Sequence, residues 1–177
     1  QQDALAVAEQ PSIEVVVLAS AFKQFTSDEF RCLGASGLGP CDDDAIIEGL
    51  RRQVSELRKR GKRVVLVAPP PEPLFDIRAC AELLRRGIAS PGHPDCAVSR
   101  ARDAEVSSGV LRLIARVRAE VDVPIIDLRD WLCDETSCRT LEAGRSLYGG
   151  SGHLSRWGAE RLAKETGIVD QALRIAR

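Results

Sequence analysis

The sequence predicts an α/β fold built on a parallel β-sheet with helices on both faces. Three short runs, at 13–19, 63–69 and 123–128, are apolar and rich in β-branched residues. Each run is almost continuously hydrophobic, which is typical of a strand that is covered on both faces. Helical patterns separate the runs. Strands that alternate with helices favour right-handed crossovers and therefore a parallel sheet.

The clearest helix is predicted at 42–61. It begins with aspartates and ends with basic residues followed by Gly61, which suits the helix dipole and a glycine C-cap. Its apolar residues recur at spacings of three and four and form one face: Ile46, Ile47, Leu50, Val54 and Leu57. Similar patterns predict helices at 105–121 and 155–167, and we expect 1–10 to form a helix that leads into the first strand.

Loops are predicted at 33–44, 68–76 and 85–100, where glycine and proline are frequent. Two serines flanked by glycine lie in "GASG" at 34–37 and "GGSG" at 149–152. A strained nucleophile turn requires an apolar strand before the serine and a helix after it. Neither segment has this setting, so we interpret both as ordinary loops.

Composition limits the class of protein. The chain has 177 residues, enough for one domain with a real core, and we expect 1–177 to form a single domain. Hydrophobic residues make up 44% and charged residues 29%, a globular balance, and the formal net charge is -1. Because basic and acidic residues are interspersed, nucleic acid is not an expected partner. No apolar run approaches the roughly 20 residues that a membrane span needs.

The cysteines favour disulfides. They fall in three close pairs, Cys32 with Cys41, Cys80 with Cys96, and Cys133 with Cys138. No CxxC occurs, and His93 does not have metal-ligand spacing to its neighbouring cysteines, so no zinc or other metal site is predicted. Local disulfides would indicate an oxidising compartment such as a periplasm. Other pairings, or buried reduced thiols, remain open alternatives.

His153 is the candidate catalytic base. The stretch "LYGGSGHLSRWGAERL" at 147–162 brings this histidine to the start of the last predicted helix, with Ser155 placed to cap that helix. Ala159, Leu162 and Ala163 are expected to form the inward face of the helix. Ligands of parallel sheets bind beyond the carboxyl ends of the strands, where this loop is expected to lie. The alternative is that His153 only caps or packs against the helix.

Several segments resemble, in order, the SGNH hydrolase domains attached to membrane O-acyltransferases of the acyltransferase-3 type. "DLRDWLCDETSC" at 127–138 and the stretch 147–163 are similar to the family's C-terminal D…LC…C and Y-x-D-x-x-HLS-x-x-G segments. "SIEVVVLASAF" at 12–22 and "RVVLVAPPPEP" at 63–73 are similar to its strand segments, and the cysteines after the second match its cysteine framework. The resemblance covers nearly the whole chain and is most specific in HLS-x-x-G.

This resemblance implies a three-layer, flavodoxin-like SGNH fold in which the three strands are the contiguous 3-4-5 of a 2-1-3-4-5 sheet. It implies a periplasmic or other extracytoplasmic domain, tethered to the inner membrane in the full-length protein. The implied activity is O-acyl, chiefly O-acetyl, transfer to or removal from a cell-surface polysaccharide by a Ser-His mechanism. His153 would be the base, with no cofactor. The implied partners are an acyl donor, the polysaccharide acceptor and a membrane acyltransferase domain, fused or separate.

Two features depart from the family pattern. The family's acid lies three residues before the histidine, where this chain has Gly150. Asp127 and Asp130 are candidate substitutes, although Asp127 also fits a strand-end residue that satisfies backbone donors. The family's nucleophile turn after its first strand is not found. We therefore expect the chain to be a piece that begins after that segment, and we expect another strand to cover the edge at 13–19 in the intact protein.

These departures favour a second hypothesis, in which the chain is an inactive SGNH-like module. Such a module would bind glycan or dock onto a membrane acyltransferase partner. Tyr148 is a candidate binding residue, and Trp131 and Trp157 also lie near the expected rim, although tryptophans at such positions commonly serve packing. A third hypothesis is an unrelated secreted α/β domain.

Overall fold

The computed structural model of the chain describes residues 6–20, 22–23, 31–34, 37–150 and 152–175, with the backbone alone at 32–34, 37, 38, 40 and 175. The strands are β1 (Val15–Ala19), β2 (Arg31–Gly34), β3 (Gly37–Pro40), β4 (Arg63–Ala68), β5 (Val98–Ser99), β6 (Ile125–Asp127), β7 (Ser137–Cys138), β8 (Leu141–Glu142) and β9 (Arg145–Ser146). The helices are α1 (Asp43–Lys59), α2 (Ile77–Arg85), α3 (Arg100–Val106), α4 (Ser108–Glu120), α5 (Arg129–Leu132), α6 (Arg156–Thr166) and α7 (Ile168–Ile175).

A three-stranded parallel sheet confirms the predicted α/β class. Its strand order is β1-β4-β6, the contiguous order that the family resemblance implies. Strand β1 pairs with β4 from Val15 opposite Arg63 to Ala19 opposite Val67. The central strand β4 is the most deeply buried of the three, which accounts for its continuous apolar run. Strand β1 lies at the edge of this sheet, with no neighbouring strand on the side away from β4 within the described residues. Its residue Val17 is 50% exposed.

Helix α1 follows its predicted pattern. The Asp42 side chain accepts a hydrogen bond from the Ala45 N–H at 2.6 Å and caps the helix. Four of the five predicted apolar residues are buried, and Leu50 packs partly buried against the same core. Gly61, just beyond the helix, has the positive φ of 73° that glycine adopts without strain.

The chain divides into two compact units. Unit 1 comprises 1–69, 109–126 and 169–177 and contains the sheet with α1 and most of α4. Unit 2 comprises 70–108 and 127–168, the segments that follow the chain out of β4 and β6. Unit 2 holds its own buried residues, among them Ile77, Leu132, Leu147, Tyr148 and Leu162. Of the helices in the described part of the chain, none has both the length and the hydrophobicity required to span a membrane.

Some predicted loops contain regular structure. Strands β2 and β3 form an antiparallel ribbon, from Arg31 opposite Pro40 to Gly34 opposite Gly37, which overlaps the predicted loop 33–44, so the loop prediction is wrong there. Glycine and proline disfavour strands, and the ribbon therefore gives no signal in the sequence. The segment 85–100 ends in β5, which pairs with β7. Residues 35–36 and Ser151, parts of the two glycine-flanked serine segments, lie outside the described residues.

The helix predictions need two corrections, and a third prediction falls partly outside the described residues. The helix expected at 105–121 is two helices, α3 and α4, which meet at Ser107. There the Ser107 hydroxyl donates to the Asp103 carboxylate at 2.9 Å. Helices α2 and α7 were not predicted. Of the expected N-terminal helix, residues 6–8 are helical and residues 1–5 lie outside the described residues.

Candidate active site around His153

His153 lies at the tip of a tight hairpin that leads into α6. Tyr148 and Leu154 form an antiparallel bridge, and the Gly149 N–H donates to the His153 carbonyl at 2.9 Å. Gly152, just before the histidine, has φ of 86°, a backbone conformation that favours glycine. The hairpin leaves His153 exposed. Within the described residues, no hydrogen bond or ion pair engages its imidazole.

Ser155 caps α6, as predicted. Its Oγ accepts a hydrogen bond from the Gly158 N–H at 2.9 Å, and its hydroxyl lies 3.2 Å from the Leu147 carbonyl, to which it can donate. The Ser155 N–H donates to the same carbonyl at 2.8 Å. The Leu147 carbonyl therefore joins the two ends of the His153 hairpin, and the serine has a structural role at this position.

The close approach of Leu147 requires a glycine at position 158. A Cβ built on Gly158 would lie 2.7 Å from the carbonyl carbon of Leu147 and 2.9 Å from its Cα, and it would overlap the carbonyl oxygen. Gly158 is buried, whereas Ala159, which the periodicity placed on the inward face, is exposed. That expectation is wrong because the hairpin packs against the glycine. Leu162 is buried as predicted.

Tyr148 is only 1% exposed, and its hydroxyl donates to the Pro71 carbonyl at 3.0 Å. Burial raises the pKa of this hydroxyl. The residue thereby joins the proline segment 69–73 to the His153 hairpin. The structure gives Tyr148 a packing role, and the ligand contact that the sequence suggested remains a prediction.

The two predicted substitutes for the missing acid differ in their surroundings. Asp127 is buried at the end of β6, and its Oδ1 accepts from the Arg129 N–H at 3.1 Å. This is the strand-end role that the sequence offered as the alternative. Asp130 is exposed. In the described part of the chain, no hydrogen bond or ion pair joins either carboxylate to His153. A catalytic role for either remains a prediction.

Glu72 is a carboxylate beside the His153 hairpin that the sequence analysis missed. A Cβ built on Gly152 would lie 3.6 Å from both Cγ and Oε1 of Glu72. The Glu72 carboxylate therefore approaches the backbone of the residue that precedes His153. By contrast, a Cβ on Gly150 would meet no atom within 4 Å, so this position has room for a side chain. The signal in the sequence that could have identified Glu72 is an acidic residue shortly after the end of the buried strand β4.

A buried ion pair supports unit 2. The guanidinium of Arg129 donates to Asp103 through Nε at 2.8 Å and Nη2 at 3.1 Å, and the side chains are only 6% and 2% exposed. Burial raises the pKa of Asp103. The hydrogen bonds and the charge of Arg129, together with the hydrogen bond from Ser107, lower the pKa by a larger amount, so the pKa of Asp103 lies below its usual value. No local pattern in the sequence predicts this pair.

Beside Glu72 lies a cavity of about 550 Å³, which we call the disulfide-loop cavity. Its lining comprises Glu72, Leu74, Phe75, Gly92, His93, Asp95, Ala97, Val98, Ser99, Arg102 and Ser137. Phe75 and His93 stack with ring centroids 3.8 Å apart and an interplanar angle of 16°. All these residues belong to unit 2.

Two of the three predicted disulfides are present, Cys80–Cys96 and Cys133–Cys138. The third predicted pair, Cys32 with Cys41, involves the Cys32 side chain, which lies outside the described residues. Cys80–Cys96 closes the loop that carries His93 and part of the cavity wall. Among the described residues, no cluster of three or more histidine, cysteine or carboxylate side chains is arranged to hold a metal.

Removal of the first disulfide should destabilise the protein more than removal of the second. The loops span 16 and 5 residues, and the chain-entropy relation gives about 3 and about 2 kcal/mol. We expect Cys80→Ala/Cys96→Ala to lower the free energy of unfolding by the larger amount and Cys133→Ala/Cys138→Ala by the smaller, measured by urea denaturation. An equal or reversed order would contradict loop closure as the cause.

Comparison with known proteins agrees with this architecture. Comparison with curated proteins gave no match. Among solved structures, the fold is similar to the periplasmic domain of a lipopolysaccharide acetyltransferase from Salmonella ser. Paratyphi A, with a TM-score of 0.67 and 17% identity. The match covers 94% of this chain and 60% of that chain, so this chain spans 60% of the length of that domain. The likeness confirms the SGNH-like fold. The profile of SGNH domains fused to AT3 domains matches residues 1–166, and the chain belongs to that family.

Proposed function

We propose that the chain is part of a periplasmic O-acyl transferase or esterase domain, most simply an O-acetyl one, that modifies a cell-surface glycan. The observation that carries the proposal is the exposed His153 on a hairpin that leads into the capped helix α6, in a chain of this family. The structural similarity to an acetyltransferase periplasmic domain supports the same activity. Residues 1–177 would belong to a single domain that acts beside a membrane acyltransferase domain, fused or separate, which supplies the acyl group.

In this mechanism His153 is the general base. It takes the proton of a serine hydroxyl as the oxygen attacks the acyl carbonyl, and it returns that proton to the leaving group. A glycan hydroxyl, or water in an esterase, then attacks the acyl-serine while His153 takes its proton. The bond between the acyl carbon and the serine oxygen breaks, and His153 returns the proton to that oxygen, which regenerates the free serine. No serine hydroxyl in the described residues is hydrogen-bonded to the His153 imidazole. The nucleophile is therefore not assigned to any of the described serines.

The acid of the triad orients the imidazole and stabilises its protonated form. Asp127 and Asp130 are proposals from the sequence, and the structure adds Glu72. Glu72 is the best supported of the three because its carboxylate adjoins the His153 hairpin at Gly152. We propose that Glu72 takes over part of the role that the family gives to the residue at position 150.

The proposal is tested by serine-directed labelling of the full-length protein. We expect a fluorophosphonate to label one serine, and His153→Ala to slow both labelling and hydrolysis of p-nitrophenyl acetate by about 10²- to 10⁴-fold, the usual contribution of a general base. Lys164→Ala, an exposed change on the same helix, is the control and should leave both rates unchanged. Gly150→Asp, which restores the family's acid in open space, should raise the rate.

We propose a second function as the alternative. In it the chain is a non-catalytic module that binds glycan or docks onto a membrane acyltransferase. The observation that favours it is Gly150 in the position of the family's acid. The Arg145 guanidinium lies 4.5 Å from the ring centre of Trp157 and covers one face of that ring. A folded full-length protein that no fluorophosphonate labels, with or without Gly150→Asp, would favour this function over the first. Labelling that is unchanged in His153→Ala would remove His153 from the mechanism.

A further inference from the structure

The disulfide-loop cavity has the size and composition of a ligand site. Its volume of about 550 Å³ lies within the range of about 300 to 1,000 Å³ that is common for small-molecule pockets. Its lining combines apolar and aromatic side chains with carboxylates and hydroxyls. The Cys80–Cys96 disulfide closes the loop that forms one wall, so that wall is held covalently.

The stacked pair of Phe75 and His93, which we call the platform, forms part of the wall of this cavity. The two rings are nearly parallel, and both residues are half-buried, so each keeps part of its surface accessible. Because the pair is already stacked, little side-chain entropy is lost when a ligand packs against it. The apolar C–H face of a sugar ring suits such a surface, since an aromatic side chain offers a large, rigid contact area.

The charges around the platform favour a neutral ligand. Among the described residues that line the cavity, Glu72 and Asp95 are carboxylates and Arg102 is the one cationic side chain. The Arg102 guanidinium is paired with Glu105 at 2.6 Å. Asp95 accepts from the Ala97 N–H at 3.0 Å and, as a carboxylate, has further lone pairs for sugar hydroxyls. An anionic sugar would meet a net negative lining.

The cavity adjoins the candidate catalytic histidine. Glu72 lines the cavity, and its side chain is also the group that a Cβ on Gly152 would meet at 3.6 Å. Gly152 immediately precedes His153. A sugar unit in the cavity would therefore lie next to the hairpin that presents the imidazole.

We propose that the disulfide-loop cavity is an acceptor subsite that holds one neutral sugar unit of the glycan against the Phe75–His93 pair, beside His153. The inference rests on the proposed function, because the glycan is called an acceptor only if acyl transfer occurs. Binding of the sugar does not require that chemistry, so the two can fail separately.

The test measures binding through the two imidazole rings of the chain. His93 lies in the cavity and His153 at its neighbouring hairpin, so the histidine ring signals in a ¹H–¹³C spectrum report both places. The probes are lactose, maltose, mannobiose and galactobiose, with digalacturonic acid as the anionic counterpart of the last. We expect at least one neutral disaccharide to shift the His93 signals saturably. Digalacturonic acid should bind more weakly than galactobiose.

The variants separate the aromatic contact from general damage. Phe75→Ala should weaken sugar binding about tenfold or more, and Phe75→Leu, which keeps most of the volume without the ring, should weaken it similarly. Ile88→Ala is the control, since Ile88 is 52% exposed on the same disulfide-closed loop but does not line the cavity. It should bind the sugar as wild type does, and spectral dispersion checks that every variant is folded.

Three results would overturn the subsite. They are the absence of any His93 shift with all four neutral disaccharides, tighter binding of digalacturonic acid than of galactobiose, and sugar binding that the folded Phe75→Leu variant retains in full. Sugar binding at His93 in a protein that shows no acyl chemistry would leave the subsite standing and reject the proposed activity. Acyl transfer without binding at His93 would do the reverse.

Discussion

Replacing Gly158 by alanine is expected to lower the free energy of unfolding by about 3 kcal/mol or more, the upper end of overpacking costs. The added methyl group would overlap the Leu147 carbonyl, which is backbone and cannot rotate away. Moving that carbonyl would break its hydrogen bonds from the Ser155 N–H and hydroxyl. We therefore expect the His153 hairpin to lose its anchor as well. Urea denaturation and amide exchange at Ser155 measure the two effects.

Gly49→Ala is the matched control for this substitution. Gly49 also lies inside a helix, α1, but a Cβ there would meet no atom within 4 Å. Since alanine is the better helix former, this change should raise the free energy of unfolding by about 0.5 to 1 kcal/mol. The two glycines should thus respond with opposite signs. If Gly158→Ala were as stable as wild type, the close packing of the hairpin on α6 would be refuted.

Replacing Arg129 by methionine is expected to lower the free energy of unfolding by about 3 to 5 kcal/mol, because it leaves the buried Asp103 without its cation. Methionine keeps much of the side-chain volume, so the loss reports mainly the charge. Arg112→Met is the control. Arg112 contacts Asp43 through the same two guanidinium nitrogens at 2.7 and 3.1 Å, but its side chain is 60% exposed. Water screens that pair, and the control should change stability little.

The cost of Arg129→Met should depend on pH. The pKa of Asp103 is lowered in the folded protein, so the contribution of the pair is fully present above the unfolded pKa of about 3.9 and is lost as the pH falls through the folded value. In the variant, protonation removes the buried unpaired charge. The difference in free energy of unfolding between wild type and variant should be largest near neutral pH and shrink towards about pH 3. A difference that stays constant over this range would show that lost packing, and not charge, is responsible.

The HLS-x-x-G motif has a physical explanation in this fold. The histidine occupies the exposed tip of the hairpin, the serine caps α6, and the glycine admits the Leu147 carbonyl that ties the hairpin to the helix. The sequence alone predicts the cap, because capping depends on a residue three positions away. It does not predict why position 158 must be glycine, since the contacting carbonyl belongs to another segment.

The same distinction separates the confirmed predictions from the wrong ones. The apolar runs of β1, β4 and β6 and the apolar face of α1 are local patterns, and the structure confirms them. The β2–β3 ribbon is made of residues with weak strand preference and depends on cross-strand pairing. The break between α3 and α4 at Ser107 coincides with the hydrogen bond that Ser107 makes to Asp103, which a hydrophobic period cannot reveal.

By itself the sequence determined the α/β class, two described disulfides and the candidate role of His153, because periodicity, capping and motif spacing act over short stretches of chain. The strand order followed from the resemblance to the SGNH family and not from these local patterns. The tertiary structure alone decided which distant groups meet. Arg129 finds Asp103 across 26 residues, and Tyr148 finds Pro71 across 77. It also decided that Glu72 lies against the His153 hairpin beside the cavity. Such contacts arise only when the core closes and buried polar groups must find partners, and no local pattern records that requirement.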